Sequence, residues 1–171
     1  MSSRARLLVV HGTLSIVLGV ARTGIQSAID PGQYWAGVVS YPTESGFAEY
    51  LRHMVDLQTF LSALLLKIGF NELFISGLFT IFGIFFYLGA FCNITLYLTR
   101  SCILSIALPI FLLHTGFGMY GINYEIVVPP GQLTFAPFAI AYSAFFITNS
   151  LHEERFWNQI VASLVTLLHP F

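Results

Sequence analysis

An aspartate stands where the first long apolar segment ends, in the stretch SAIDPGQYWAG from Ser27 to Gly37. A carboxylate held at such a boundary can act as a general base toward a hydroxyl or as a ligand for a divalent cation. Pro31-Gly32 turns the chain at that point and fixes Asp30 near the segment's end rather than on a loose tail. The plainer reading is a helix-ending turn whose Asp faces water, with Tyr34 and Trp35 as interfacial anchors. Glu125 is the only acid of the later stretch NYEIVVPPG. Together Asp30 and Glu125 supply two carboxylates, the minimum for binding a divalent cation or for dividing acid and base roles on a phosphate-linked substrate.

Between these two acids lie Glu49, Arg52, His53 and Asp56. The four-residue spacings Glu49 to His53 and Arg52 to Asp56 suit ion pairs on a surface helix. His53 and Asp56 are the local side chains able to join a metal site, which needs at least a third ligand and a fixed outer shell. His11 and His114 lie inside apolar runs, where a packed, hydrogen-bonded imidazole is the default, and His169 either caps the last helix or lines a cavity.

The elements that position these residues follow from a hydrophobic composition. Of 171 residues, 56% are hydrophobic and 9% charged, with a mean hydropathy of +0.78. Soluble domains carry roughly 25% charged residues, so this chain reads as an integral membrane protein. Seventeen Phe and eight Tyr suit rings that fill helix grooves and sit at the lipid-water boundary. A net charge of −1 gives no electrostatic basis for binding nucleic acid, and membrane lipids are the expected surroundings. Cys92 and Cys102 lie in or beside apolar segments and read as small buried side chains rather than a disulfide or metal pair.

About 20 apolar residues span a bilayer as a helix. The candidates are Leu7–Ile29, read as a signal anchor because the apolar run continues past its first small residues, then Glu72–Thr99, Cys102–Met119, Leu133–Leu151 and Asn158–Phe171, the last one cut short. Pro109 kinks the third without forbidding it. The expected fold is therefore an all-α, polytopic transmembrane helix bundle of about five spans, one membrane domain over residues 1–171. Residues 30–71 form an outer loop with juxtamembrane helices, because their first part is too polar to cross and Leu57–Phe70 is short and carries Lys67. Arginines support that choice. When Leu57–Phe70 stays on one side, Arg4, Arg6, Arg100 and Arg155 all fall on the cytoplasmic face, together with the N-terminus. Asp30 and Glu125 then share the outer face.

No phosphate-cradling Gly-Lys loop, His-Glu-x-x-His pair, Gly-x-Ser-x-Gly elbow or cysteine-metal spacing occurs. The order of parts resembles the GT-C superfamily of polytopic glycosyltransferases. Its members follow a basic cytoplasmic end and a first span with an acidic residue at the start of the outer loop, often with Tyr a few positions on. Asp30 and Tyr34 match that pattern. The stretch from Leu57 to Ser101, with Lys67, Ile68 and Gly69 before Asn71, is similar to the family's juxtamembrane helix and second span. The resemblance covers the N-terminal portion of a family whose chains run to several hundred residues, and the family's Lys-Pro-Pro element is missing here.

The resemblance implies transfer of a sugar from a polyprenyl-phosphate donor at the outer membrane face, with Asp30 as the catalytic carboxylate. Tyr34, Arg52, His53 and Glu125 would be substrate-binding, and Asp30 and Glu125 would be candidates for a divalent cation. The alternatives are a non-catalytic membrane subunit or scaffold and a transporter half-bundle. Gly77, Gly83 and Gly89 recur every six residues, not the four of a tight dimer seam, and Pro109 and Pro137 are the only hints of broken helices.

Overall fold

The computed structural model describes residues 3–22, 30–42, 44–53, 56–115, 135–152 and 155–168. Among them the chain is all-helical: α1 (Ser3–Arg22), α2 (Asp30–Ala36), α3 (Gly46–His53), α4 (Leu57–Ile68), α5 (Glu72–Thr99), α6 (Cys102–Thr115), α7 (Phe135–Asn149), α8 (Phe156–Ser163) and α9 (Val165–Leu168). Among the described residues only α5, 28 residues, is both long and apolar enough to cross a membrane, and it coincides with the segment expected from the sequence. At about 1.5 Å per residue it extends roughly 42 Å. Over the stretch expected as a fifth span, the described residues form two short helices, α8 and α9, separated at Leu164.

Local chemistry sets the helix ends. Asp56 caps α4, its Oδ1 accepting the Thr59 N–H at 2.7 Å, and Asn71 caps α5 by accepting the Phe74 N–H at 2.7 Å. Between them Gly69 ends α4 at φ 101°, a left-handed conformation that costs glycine little. Stacked Phe70 and Phe74 rings, 4.9 Å apart, close the corner. Arg100 ends α5 in the same region of backbone space, at φ 55°, with its guanidinium 5.6 Å from the Tyr97 ring centre.

α5 is the central post, packed by α1, α6 and α7. The contacts fix the directions. Gly19 of α1 lies against Ile81, whose Cα stands 3.0 Å from where a Gly19 Cβ would be, while His11 shares a cavity wall with Gly89 and Cys92. Helix α1 is thus antiparallel to α5. Phe86 meets Tyr142 and Asn93 meets Asn149, so α7 runs parallel to α5. α6 returns along α5, placing Ile110 on the core of Ile84, Tyr87 and Leu88. α8 returns along α7, where the Tyr142 hydroxyl donates to the Val161 carbonyl at 2.8 Å. One end of the bundle therefore gathers Arg6, Arg100 and Arg155, all exposed, and the other carries α2, α3 and α4.

On α1 and α6 the buried residues are the small and polar ones. On α1 His11, Ser15 and Gly19, one turn apart, are buried, while Val9, Ile16, Val17 and Val20 are exposed. On α6 Ser105 and Pro109 are buried while Ile103 is 79% exposed. Some hydroxyls inside are satisfied by their own helix: Ser15 donates to the His11 carbonyl and Thr80 to that of Ser76. Glycine allows the tightest approach, with the Phe145 ring of α7 lying over Gly89, where an added Cβ would sit 2.5 Å from ring carbons.

Candidate functional site

Asp30 is the first residue of α2, so DPGQYWA is a helix and not the turn that Pro31-Gly32 leads one to expect. The physical reason is positional. Proline in a first helical turn has no N–H to lose and arrives with the right φ, and glycine is tolerated where close packing rewards the missing side chain. Gly32 is in such a place. An added Cβ would stand 2.7 Å from the Cβ of Ser62 and 3.1 Å from the Ala63 nitrogen, with the Ser62 hydroxyl oxygen closer still. Pro31, Gly32 and Gln33 are buried against α4, and the Trp35 Nε1–H donates to the Leu51 carbonyl at 3.1 Å, tying α2 to α3. The start of α2 is thereby held on two neighbouring helices.

The other expected residues fall into three groups. Tyr34 is half-buried and opens a row of rings: Tyr34 to Tyr41 at 6.5 Å, Tyr41 to Phe47 at 5.2 Å, Phe47 to Tyr50 at 6.3 Å. Trp35 remains 41% exposed, as an interfacial anchor would be. Arg52 and His53 are exposed at the end of α3, and His53 uses its Nδ1–H on the Glu49 carbonyl at 2.8 Å, so the Glu49–His53 spacing is used through the backbone. Asp56 lies beyond the end of α3 and caps the next helix, so Arg52 and Asp56 do not share one helix as their spacing predicts. The side chains of Asp30 and His114, and all of Glu125 and His169, lie outside the described residues.

Two buried polar side chains were not singled out from the sequence. Among the described residues, Gln58, 1% exposed, has no hydrogen-bond partner at either end of its amide, and Thr59, 1% exposed, has none for its hydroxyl. They share an α4 face with Ser62, the residue under Gly32. The signal was present: Gln58, Thr59 and Ser62 form a polar stripe in LQTFLSALLLKI, which an average over the segment conceals. The buried face of this short apolar helix is thus its polar one.

Chemically, the α2–α4 unit offers a carboxylate-bearing helix start, unpaired amide and hydroxyl groups in the seam below it, and aromatic rings beside it. Among the described residues no three His, Cys, Asp or Glu side chains converge to hold a metal ion, so no metal step is derived. Compared with protein-family models, curated proteins and solved structures, the chain matches none.

Proposed function

We propose that this chain is a multi-pass membrane protein, and the N-terminal part of a GT-C-like glycosyltransferase that moves a sugar from a polyprenyl-phosphate donor at the outer membrane face. The multi-pass reading is supported by the inverted burial of α1 and α6, which flank the apolar post α5. On these two helices the buried residues are small or polar while valine, isoleucine, leucine and phenylalanine point outward, an arrangement that suits lipid and is costly in water. The orientation is supported by the gathering of Arg6, Arg100 and Arg155 at one end, which the positive-inside rule assigns to the cytoplasm along with the N-terminus. The α2–α4 unit then belongs to the outer face and does not cross.

The observation that carries the transfer reading is the docking of α2. Asp30 begins a helix clamped by Gly32 on Ser62 and by Trp35 on Leu51, and a base held in this way meets the positional demand of proton transfer. In the proposed reaction an acceptor hydroxyl oxygen attacks the anomeric carbon of the donor sugar. The bond from that carbon to the phosphate oxygen breaks, polyprenyl phosphate leaves with the electron pair, and the Asp30 carboxylate takes the hydroxyl proton. Arg52 and His53, exposed on the neighbouring helix, are the groups available to the phosphate. Tyr34 and the rings beside it provide apolar faces of the kind that sugars stack on, and Glu125 completes the proposed set from the second outer loop.

The test is transfer of radiolabelled sugar from polyprenyl-phosphate donors by membranes containing the full-length protein. Asp30→Asn is expected to lower transfer at least a hundredfold, within the range that general-base catalysis contributes, with membrane insertion unchanged. Wild-type transfer by the variant removes Asp30 from the mechanism. The alternative, a non-catalytic membrane subunit, is favoured by the extent of exposed apolar surface, and it predicts no transfer by the wild type and co-purification with partner spans.

A further inference from the structure

A cavity of about 240 Å³ opens at the arginine end of the bundle, between the first third of α1 and the facing stretches of α5, α6 and α7. Its polar wall consists of His11, Cys92, Asn93, Cys102, Asn149 and His152, and the rest is apolar. Among the described residues no Asp, Glu, Lys or Arg lines it. His11 is 4% exposed, and its Nε2 is buried with no hydrogen-bond partner among the described residues. The neighbouring groups, by contrast, are ordered into a network. The Asn93 Nδ2 donates to the Thr148 hydroxyl at 3.2 Å and to Asn149 Oδ1 at 3.0 Å, and His152 Nε2 meets the Asn93 carbonyl at 3.0 Å. A carbonyl only accepts, so His152 Nε2 carries the proton of that bond.

The wall selects its ligand by exclusion. An ion would enter without a countercharge, which a low-dielectric interior penalises heavily. A purely apolar molecule would leave the His11 nitrogen desolvated and unpaired, as it is now. A hydroxyl suits both histidines, because it donates to a bare ring nitrogen and accepts from a protonated one. An engineered apolar cavity of about 150 Å³ takes benzene, so this larger space has room for a group of ring size. We infer that the cavity binds a small, uncharged, hydroxyl-bearing group, either a free polyol or the glycerol headgroup of a neutral lipid, with the His11 imidazole as the central hydrogen-bond partner. It lies at the opposite end of the bundle from Asp30, so it stands apart from the proposed transfer site.

The experiment uses the full chain in phosphatidylcholine nanodiscs with 15N-labelled histidine rings, His11 being assigned by His11→Gln. myo-Inositol is titrated as the free polyol, monoolein is added to the bilayer as the lipid headgroup, and cyclohexane serves as the apolar probe. The expected result is a saturable shift of the His11 and His152 ring nitrogens with myo-inositol or with monoolein and none with cyclohexane. Whichever probe saturates names the source. Read at His152, His11→Phe is expected to weaken binding roughly tenfold or more, the effect of losing one buried hydrogen bond, and His11→Gln to weaken it less. Cys102→Phe, at an exposed position on the cavity rim, fills the space without altering His11 and is expected to abolish the shift. The inference fails if neither hydroxylated probe saturates, if cyclohexane shifts the rings equally, or if Cys102→Phe or His11→Phe binds as the wild type does.

Discussion

The seating of α2 on α4 rests on one missing methyl group, and restoring it gives a sharp test. In Gly32→Ala the new Cβ would lie 2.7 Å from the Ser62 Cβ and 3.1 Å from the backbone nitrogen of Ala63. Carbon atoms prefer about 3.5–4.0 Å, so the overlap with Ser62 is about 1 Å and cannot be relieved by a long flexible side chain. Overpacking of this kind costs about 1–3 kcal/mol. Alanine's better helix propensity returns up to about 1 kcal/mol. The expected net loss is about 1–2 kcal/mol, equivalent to a roughly 5–30-fold larger open population of α2. Hydrogen exchange read by mass spectrometry on the full chain in nanodiscs should show α2 amides exchanging faster by that factor while α5 is unchanged. Ser62→Gly removes both offending atoms and, combined with Gly32→Ala, should restore most of the protection. On the proposed reaction, sugar transfer falls and recovers in parallel, because the helix start that bears Asp30 moves with α2. Unaltered α2 exchange in Gly32→Ala, or no rescue by Ser62→Gly, would refute the clamp.

Two further outcomes are expected. Gln58→Leu replaces an amide buried without partners by an apolar side chain of similar size, and thermal unfolding should occur at an unchanged or higher temperature, since an unsatisfied buried polar group costs about 1–3 kcal/mol. A fall in Tm of the size seen for core truncations would show that Gln58 contributes polar interactions after all. For topology, Glu44→Cys and Thr99→Cys in a Cys92→Ala/Cys102→Ala background should react with an impermeant maleimide from opposite faces of sealed vesicles. Labelling of both from one face would rule out the up-and-down order of α1, α5, α6 and α7.

The sequence by itself determined the helical class and the bounds of α5. These depend on local quantities: an unbroken apolar run, Asn71 before it, Gly69 at the end of the preceding helix. It also carried the arginine pattern, which the folded chain gathers at one end. Local reading could not tell that Asp30-Pro31-Gly32 begins a helix, because the same dipeptide serves a turn or a first helical turn, and the choice is made by the room that Gly32 finds over Ser62. Nor did the spacing of Arg52 and Asp56 reveal that the helix breaks between them, where Asp56 is worth more as a cap on Thr59. Only the tertiary structure decided that Gln58, Thr59 and Ser62 face inward and that His11 meets Asn93 and His152 around a cavity. Such meetings depend on which helix face turns toward which neighbour. On α1 and α6, whose exposed faces carry large apolar side chains, hydrophobicity does not encode that choice, and the small and polar residues at the seams do.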